Sequence, residues 1–209
     1  MKIRYQGEMS VRIDCDGTVF VTDPQSLQVT GRKAPKVEAD VVLVSDTKYL
    51  GVSDYATQAN LTLESSNREK VFEIVNFGEY EIGGIMIRRS QRNGFYILDQ
   101  GYVRIVYAGY ISPNFEVDKA KNLGDVDVLI LPVGDGGIFP SNPKLSKIIQ
   151  IIDPSYLIPI AFSGEGMQDI DTFIKECDLT KGEDMKELKL TDAPEKDEKT
   201  LKVIVLPEK

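Results

Sequence analysis

The stretch VVLVSDTKYLGVSD, residues 41–54, runs four apolar residues into a polar turn that carries Asp46, Lys48 and Tyr49. An apolar run of this kind suits a strand buried on both faces, and loops at strand ends are where reacting groups commonly sit. A carboxylate there could act as a general base, and an ammonium two residues on could stabilise an oxyanion or a phosphate. The same two side chains on one turn also make a plain surface ion pair. Histidine is missing from the stretch and from the whole chain, where its count is zero. Histidine is the usual general base near neutral pH and the commonest imidazole ligand, so every His-dependent triad, dyad and zinc site is excluded together.

Other motifs carry less. GDGG, Gly134 to Gly137, is too short for a phosphate loop and lacks the G-K-[ST] ending. SGEGMQD, residues 163–169, has no G-x-S-x-G nucleophile elbow. DVD at 125–127 reads as the entrance to a strand, since a calcium loop needs a longer ordered series of oxygens. IRRSQR, Ile87 to Arg92, is the one concentrated basic patch and reads as a solvated hairpin tip. Cys15 and Cys177 lie far apart without C-x-x-C spacing, which indicates a reduced thiol pair in a cytoplasmic protein.

These residues must be positioned by a fold, and composition bounds it. A chain of 209 residues, 42% hydrophobic and 28% charged, fits a single domain, 1–209, with a core large enough to need no staple. The net charge of 25 − 33 = −8 argues against nucleic acid as a partner, because such binding draws its affinity from neutralised phosphates. The charged opening MKIRYQGEMSVRIDCDG does not read as a signal peptide, and no apolar run predicts a membrane span.

Along the chain, KIRYQG, SVRIDCD and TVFVTD read as short strands, with Asp16-Gly17 suited to a hairpin turn. GRKAPKVEAD reads as a loop, and DYATQAN as a short helix capped by Ser53 or Asp54. KVFEIVNFGEYEIGGIMIRRS predicts two strands with a Gly-Glu turn between them. GFYILDQGYVRIVYAG predicts a hairpin turning at Gln100-Gly101, and DVDVLILPVG another buried strand. Two helices follow, with Leu145, Ile148, Ile149 and Ile152 on one face of the first and Ile170, Phe173, Ile174 and Cys177 on one face of the second. SYLIPIAF, KELKL and LKVIVL read as strands, the last two joined by the charged TDAPEKDEKT connection. Strands first and strand–helix–strand later indicate a mixed α/β (α+β) domain.

The order of these pieces resembles the metallo-β-lactamase superfamily, in its compact metal-dependent hydrolase branch related to sugar-lactone hydrolases. The resemblance rests on the opening MKIRYQG, on VFVTDP ending in Asp-Pro, and on FGEYEIGGIMI with its Gly-Glu-Tyr-Glu run. It continues through VRIVYAG, LGDVDVLILPVG and IIDPSYLIPIAF to the closing FIKEC…KELKL…LKVIVL. It implies an αββα sandwich of two mixed sheets flanked by helices, with one or two metals held at the sheet edges.

The family's metal-binding turn, Thr-His-x-His-x-Asp-His, matches positions that here hold Ser45, Asp46, Lys48, Leu50 and Gly51. Tyr110 follows Gly109 where a bridging aspartate is expected, Ala161 stands where a final histidine is expected, and Glu8 replaces the histidine of an opening Gly-His. Arg88 to Gly94, RRSQRNG, stands where a loop often carries a further histidine. Leu50, Gly51 and Ala161 offer no ligand, Lys48 would repel a divalent metal, and Tyr110 would bind one only as phenolate. Asp23 and Asp46 remain as oxygen donors, which makes a poor zinc site and leaves weak Mg²⁺ or Ca²⁺ binding as an alternative.

The reading favoured by these residues is a catalytically degenerate protein of this fold, expected to have no cofactor and to bind a small ligand or a protein. One alternative is a hydrolase with a rebuilt site, in which Asp46 or Glu8 is the base, Lys48 stabilises the oxyanion and Tyr110 faces the same cleft. Another is a structural assembly protein, such as a homo-oligomer. The former metal-site positions Glu8, Asp23, Asp46, Lys48, Tyr110 and Ala161 are the candidate cleft residues.

Overall fold

Successive side chains of Val41–Leu43 and of Val44 after it point alternately into two different apolar cores. Val41 and Leu43 join the main core, and Val42 and Val44 join a second one with Val21, Tyr49 and Tyr55. That alternation is why the run is apolar on every residue: the strand lies in a sheet covered on both faces. The computed structural model describes residues 1–28, 36–134, 137–162, 169–191 and 201–208.

From edge to edge, the six-stranded sheet orders Leu188–Lys189, Lys2–Gly7, Ser10–Cys15, Thr18–Thr22, Val41–Leu43 and Phe72–Ile74. Its first four strands are antiparallel, and its last three run parallel to one another. The amine of Met1 donates to the carbonyl of Leu190 at 2.9 Å, which extends the pairing of Lys2 with Lys189.

The eight-stranded sheet orders Lys181–Asp184, Lys202–Val205, Tyr156–Ile160, Val128–Pro132, Arg104–Tyr107, Tyr96–Asp99, Ile85–Arg89 and Gly78–Ile82. Arg104–Tyr107 through to Lys181–Asp184 are parallel, and the remaining strands form antiparallel hairpins. The inner faces of the two sheets share one core, in which Ile3, Tyr5, Val11 and Phe20 meet Ile85, Tyr96 and Ile105. Burying each such aliphatic side chain stabilises the fold by roughly 1.5–3 kcal/mol.

Helix Asn142–Ile152 sets Leu145, Ile148, Ile149 and Ile152 into the main core and carries a proline in its first turn. It stops at Asp153, whose left-handed backbone donates its amide to the carbonyl of Ile149 at 2.8 Å, with Pro154 beyond it. Helix Ile170–Glu176 packs Phe173 inward, and the four-residue helix Tyr55–Gln58 covers the second core with Tyr55. Asp54 caps the short helix by accepting from the amide of Thr57, so of the two caps expected the aspartate is the one used. This is the metallo-β-lactamase-like α/β sandwich that the resemblance implied.

Several local expectations are corrected. KVFEIVNFGEYEIGGIMIRRS holds three strands rather than two: Gly78-Glu79 starts a strand, and the chain reverses at Gly83-Gly84. Both glycines have positive φ, 65° and 78°, which a tight hairpin turn requires and side chains resist. Part of GRKAPKVEAD is not loop, since Val37–Glu38 pairs with Leu63–Glu64. Lys181–Asp184 is an edge strand that no alternation announced. Residues 31–35, 135–136, 163–168 and 192–200, within GRKAPKVEAD, GDGG, SGEGMQD and TDAPEKDEKT, lie outside the described residues. Cys15 and Cys177 are free and buried. Among the described residues no helix is long and apolar enough to cross a membrane.

Candidate functional site

The candidate cleft residues gather where strands from both sheets end. Glu8 follows Lys2–Gly7, Asp23 follows Thr18–Thr22, and Ser45 stands two residues beyond Val41–Leu43. From the other sheet, Gly109 and Tyr110 follow Arg104–Tyr107, and Ala161 follows Tyr156–Ile160. Carboxyl ends of strands in open α/β sheets are the usual seat of ligands, because the chain there leaves the ladder and frees its polar groups. Hydrogen bonds bridge the two sheets here: the amide of Ala161 donates to the carbonyl of Glu8 at 2.9 Å, and the amide of Tyr110 donates to Ser45 Oγ at 2.9 Å.

Asp23 is the centre of the arrangement and is fully buried. Its Oδ1 accepts from the amide of Ser45 at 2.7 Å and from Gln25 Nε2 at 3.3 Å. Its Oδ2 accepts from Ser45 Oγ and from the hydroxyl of Tyr107. Burial pushes the Asp23 carboxyl above the ordinary carboxylate range, and the bonds from Ser45, Tyr107 and Gln25 pull it back part of the way. Ser45 is equally occupied: its amide and hydroxyl serve Asp23, its oxygen accepts from Tyr110, and its carbonyl accepts from Arg89 Nη2 at 2.7 Å.

The backbone around this network is held in conformations that L-residues resist. Glu8, Asp23 and Ala161 all have positive φ, 46°, 36° and 58°, each costing roughly 1–2 kcal/mol. Gly109, with φ 57°, has no such cost, and a Cβ there would lie 2.2 Å from Ser45 Oγ. Strain of this kind clusters where a fold orients side chains for a purpose, and here it falls on three of the six candidate positions.

Asp46 and Lys48 stand apart from the network, on the rim. Asp46 Oδ1 accepts from the amide of Lys48 at 3.0 Å, and Oδ2 pairs with Lys48 Nζ at 3.0 Å. The lysine side chain is 61% exposed and its ammonium lies 4.8 Å from the Tyr49 ring centroid. Burial alone would lower the Lys48 pKa, but the hydrogen bond and charge of Asp46 outweigh it and raise the value. Tyr110 is half-buried against Phe139, and burial, with the charges of Asp23, Asp46 and Glu8, pushes its phenol far above the ordinary value.

These residues do not make a zinc site, which is built from imidazole and thiolate ligands. Both oxygens of Asp23 and both of Asp46 already accept from protein donors, and Tyr110 is held neutral. Leu50, Gly51 and Ala161 bring no donor atom. Among the described residues no group of three or more His, Cys, Asp or Glu side chains could hold a metal.

Sequence reasoning missed Gln25, Tyr107 and Arg89. Tyr107 closes its strand just before Gly109, and only the pairing of the two sheets brings it to Asp23. Arg89 was readable: in Ile85–Arg89 the exposed and buried residues alternate, and Arg89 falls in phase with Ile85 and Ile87. The hairpin-tip expectation for IRRSQR holds for the exposed Arg88, Gln91 and Arg92, at the turn between Ile85–Arg89 and Tyr96–Asp99, and is corrected for Arg89, which is only 2% exposed.

Comparison with known proteins agrees with this fold. A family model described as a β-lactamase superfamily domain matches residues 2–161. A metallo-β-lactamase superfamily protein from Thermotoga maritima superposes with a TM-score of 0.70 at 20% identity, covering 99% of this chain and 100% of its own. Igni18, a metallo hydrolase from Ignicoccus hospitalis, superposes with a TM-score of 0.58 at 15% identity, covering 85% of this chain and 90% of its own. The metallo-β-lactamase fold protein YhfI from Bacillus subtilis gives 0.56 at 12% identity, covering 98% and 95%. No curated protein matches the chain. With the family model spanning most of the sequence and the sandwich shared throughout, the chain belongs to the metallo-β-lactamase superfamily.

Proposed function

We propose that this chain is a catalytically degenerate member of its superfamily, which binds a small molecule or a protein and carries no metal. Within the superfamily we place it beside the sugar-lactonase-like branch, on the Gly-Glu-Tyr-Glu run at Gly78–Glu81 and the order of the motifs around it. The observation that carries the functional reading is the closed hydrogen bonding of Asp23, the buried carboxylate at the centre of the former metal-site positions. Without a metal, the fold lacks the device that generates hydroxide at neutral pH and polarises a substrate.

A rebuilt hydrolase would need Lys48 aimed at substrate and a base with an open oxygen. The pairing of Lys48 with Asp46, and the exposure of its side chain, count against that arrangement. The test is the metal content of chelator-treated protein after incubation with zinc, manganese and magnesium, read by mass spectrometry. A ratio near zero per chain supports the proposal. A ratio near one overturns it and directs attention to hydrolase assays.

A further inference from the structure

The two stacked sheets do not end together. Phe72–Ile74 is the last strand of one and Gly78–Ile82 the last of the other. In register, Phe72 stands beside Val41 and Ile74 beside Leu43, and both of these neighbours belong to the core between the sheets. Phe72 therefore points to the same side as Ile74, yet Ile74 is 3% exposed and Phe72 is 49% exposed. A ring aimed at a core and left half in water marks where the covering sheet stops short.

Arg68 covers the ring in part, its guanidinium carbon lying 5.8 Å from the centroid. The same guanidinium borders the tip of the edge hairpin, since a Cβ on Gly83 would meet Arg68 Nη2 at 3.3 Å. Phe72 thus lies beside the end of Gly78–Ile82, in the lane that one further strand would occupy.

That edge strand is open along its outer side. Its hairpin closes through the two-residue turn Gly83-Gly84, and such a turn is flanked by a pair that exchanges both backbone bonds, here Ile82 with Ile85. Bonded pairs alternate along an antiparallel ladder, so Tyr80 bonds to Ile87 and Gly78 to Arg89. The amides and carbonyls of Glu79 and Glu81 then face outward, and no backbone bond from another element reaches them among the described residues. A row of open donors and acceptors is a template for another strand.

The side chains say which strand. Tyr80 and Ile82 face the core, and the exposed Glu79 and Glu81 face solvent. Glu81 stands beside the uncharged Met86 in the ladder, and Glu79 beside Arg88. Two copies of this edge, paired antiparallel about Tyr80, would set glutamate across from glutamate, which disfavours a second copy as occupant. Charged edges do keep strands apart, but that role leaves the inward, half-exposed Phe72 without a purpose. We propose that this edge takes up an extended segment of a partner protein as an added strand, its apolar residues over Phe72 and Tyr80 and the basic residues between them beside Glu79 and Glu81. The inference does not rest on the cleft at Asp23, because none of the candidate cleft residues belongs to this edge.

The test titrates the intact chain with three labelled synthetic peptides, read by fluorescence anisotropy. One alternates lysine with valine, one alternates glutamate with valine, and the third is the first peptide methylated on the backbone nitrogens of its lysines. The lysine–valine peptide is expected to bind about 10-fold or more tightly than either of the others, and to slow amide hydrogen exchange at Glu79 and Glu81 on saturation. Phe72→Ser weakens it about 10-fold, and Glu79→Lys combined with Glu81→Lys turns the preference to the glutamate–valine peptide. All three substituted side chains are exposed, and circular dichroism checks that the variants fold. Absence of binding of the lysine–valine peptide at about 1 mM overturns the proposal. So does undiminished binding in folded Phe72→Ser, equal binding of the methylated peptide, or unchanged exchange at Glu79 and Glu81. A concentration-dependent dimer that Phe72→Ser dissociates also overturns it, and gives the edge to a second copy.

Discussion

Two regions meet at Ser45 and have opposite electrostatic bookkeeping. On one side the buried Asp23 carboxylate accepts from four protein donors and has no lone pair left for a ligand. On the other, the buried Arg89 guanidinium donates to the carbonyls of Val75 and Ser45, forms no ion pair among the described residues and keeps one unpaired donor. The first region holds positions to which the family resemblance pointed, and the second lies where the sequence suggested only a solvated turn. The difference teaches that a familiar position is not by itself a site. What matters is which polar groups the fold leaves unsatisfied.

The comparison breaks first at Asp23. Asp23→Ala strands the amide and hydroxyl of Ser45 and Gln25 Nε2, leaves the Tyr107 hydroxyl only the Met9 carbonyl, and should cost about 3–5 kcal/mol in urea unfolding. A loss below about 1 kcal/mol would mean the network is not closed as described. Next is Gly109→Ala, which combines left-handed backbone with a Cβ 2.2 Å from Ser45 Oγ. It should lower stability by about 2–3 kcal/mol in thermal melts, and Tm equal to the parent's would show that Ser45 can move aside.

A smaller effect sharpens the charge state. Because the Asp23 carboxyl is raised in the folded protein, the native state holds its proton at pH values where the unfolded chain has released it. Its contribution is therefore largest below the ordinary value of 3.8 and is lost as pH rises through the folded value. Stability measured across that window should fall with rising pH, and Asp23→Asn should flatten this part of the profile. Smallest of all, Lys48→Ala breaks only an exposed ion pair and should change stability by about 0.5 kcal/mol or less. A loss near 2 kcal/mol would return Lys48 to the cleft.

Much of the frame was legible because period-2 patterning and turn residues are local. The strands around Asp16-Gly17 and Gln100-Gly101, the helix with Ile148 and Ile149 inward, and the doubly buried Val41–Leu43 all follow from neighbours in sequence. The Gly78-Glu79 error has the same origin: a glycine in a strand looks like a turn until the ladder with Ile85–Arg89 is known. The bonds of the site were less legible, since they join residues that only the stacking of the sheets brings close. Tyr107 reaches Asp23 across 84 positions, and Arg89 reaches Ser45 across 44. Side-chain type alone could not separate a buried, unpaired arginine from the exposed one beside it. Strand phase could.

The pairing of Lys2 with Lys189, and the bond from Met1 to Leu190 across 189 positions, also set an order of events. Strand Lys2–Gly7 finds one neighbour within a few residues, in Ser10–Cys15, but its other neighbour is among the last elements in the chain. Closing so long a loop costs entropy before any contact rewards it, and folds dominated by distant pairings are slow. During synthesis, an early hairpin therefore presents an open edge until the segment around Leu188 arrives to cover it.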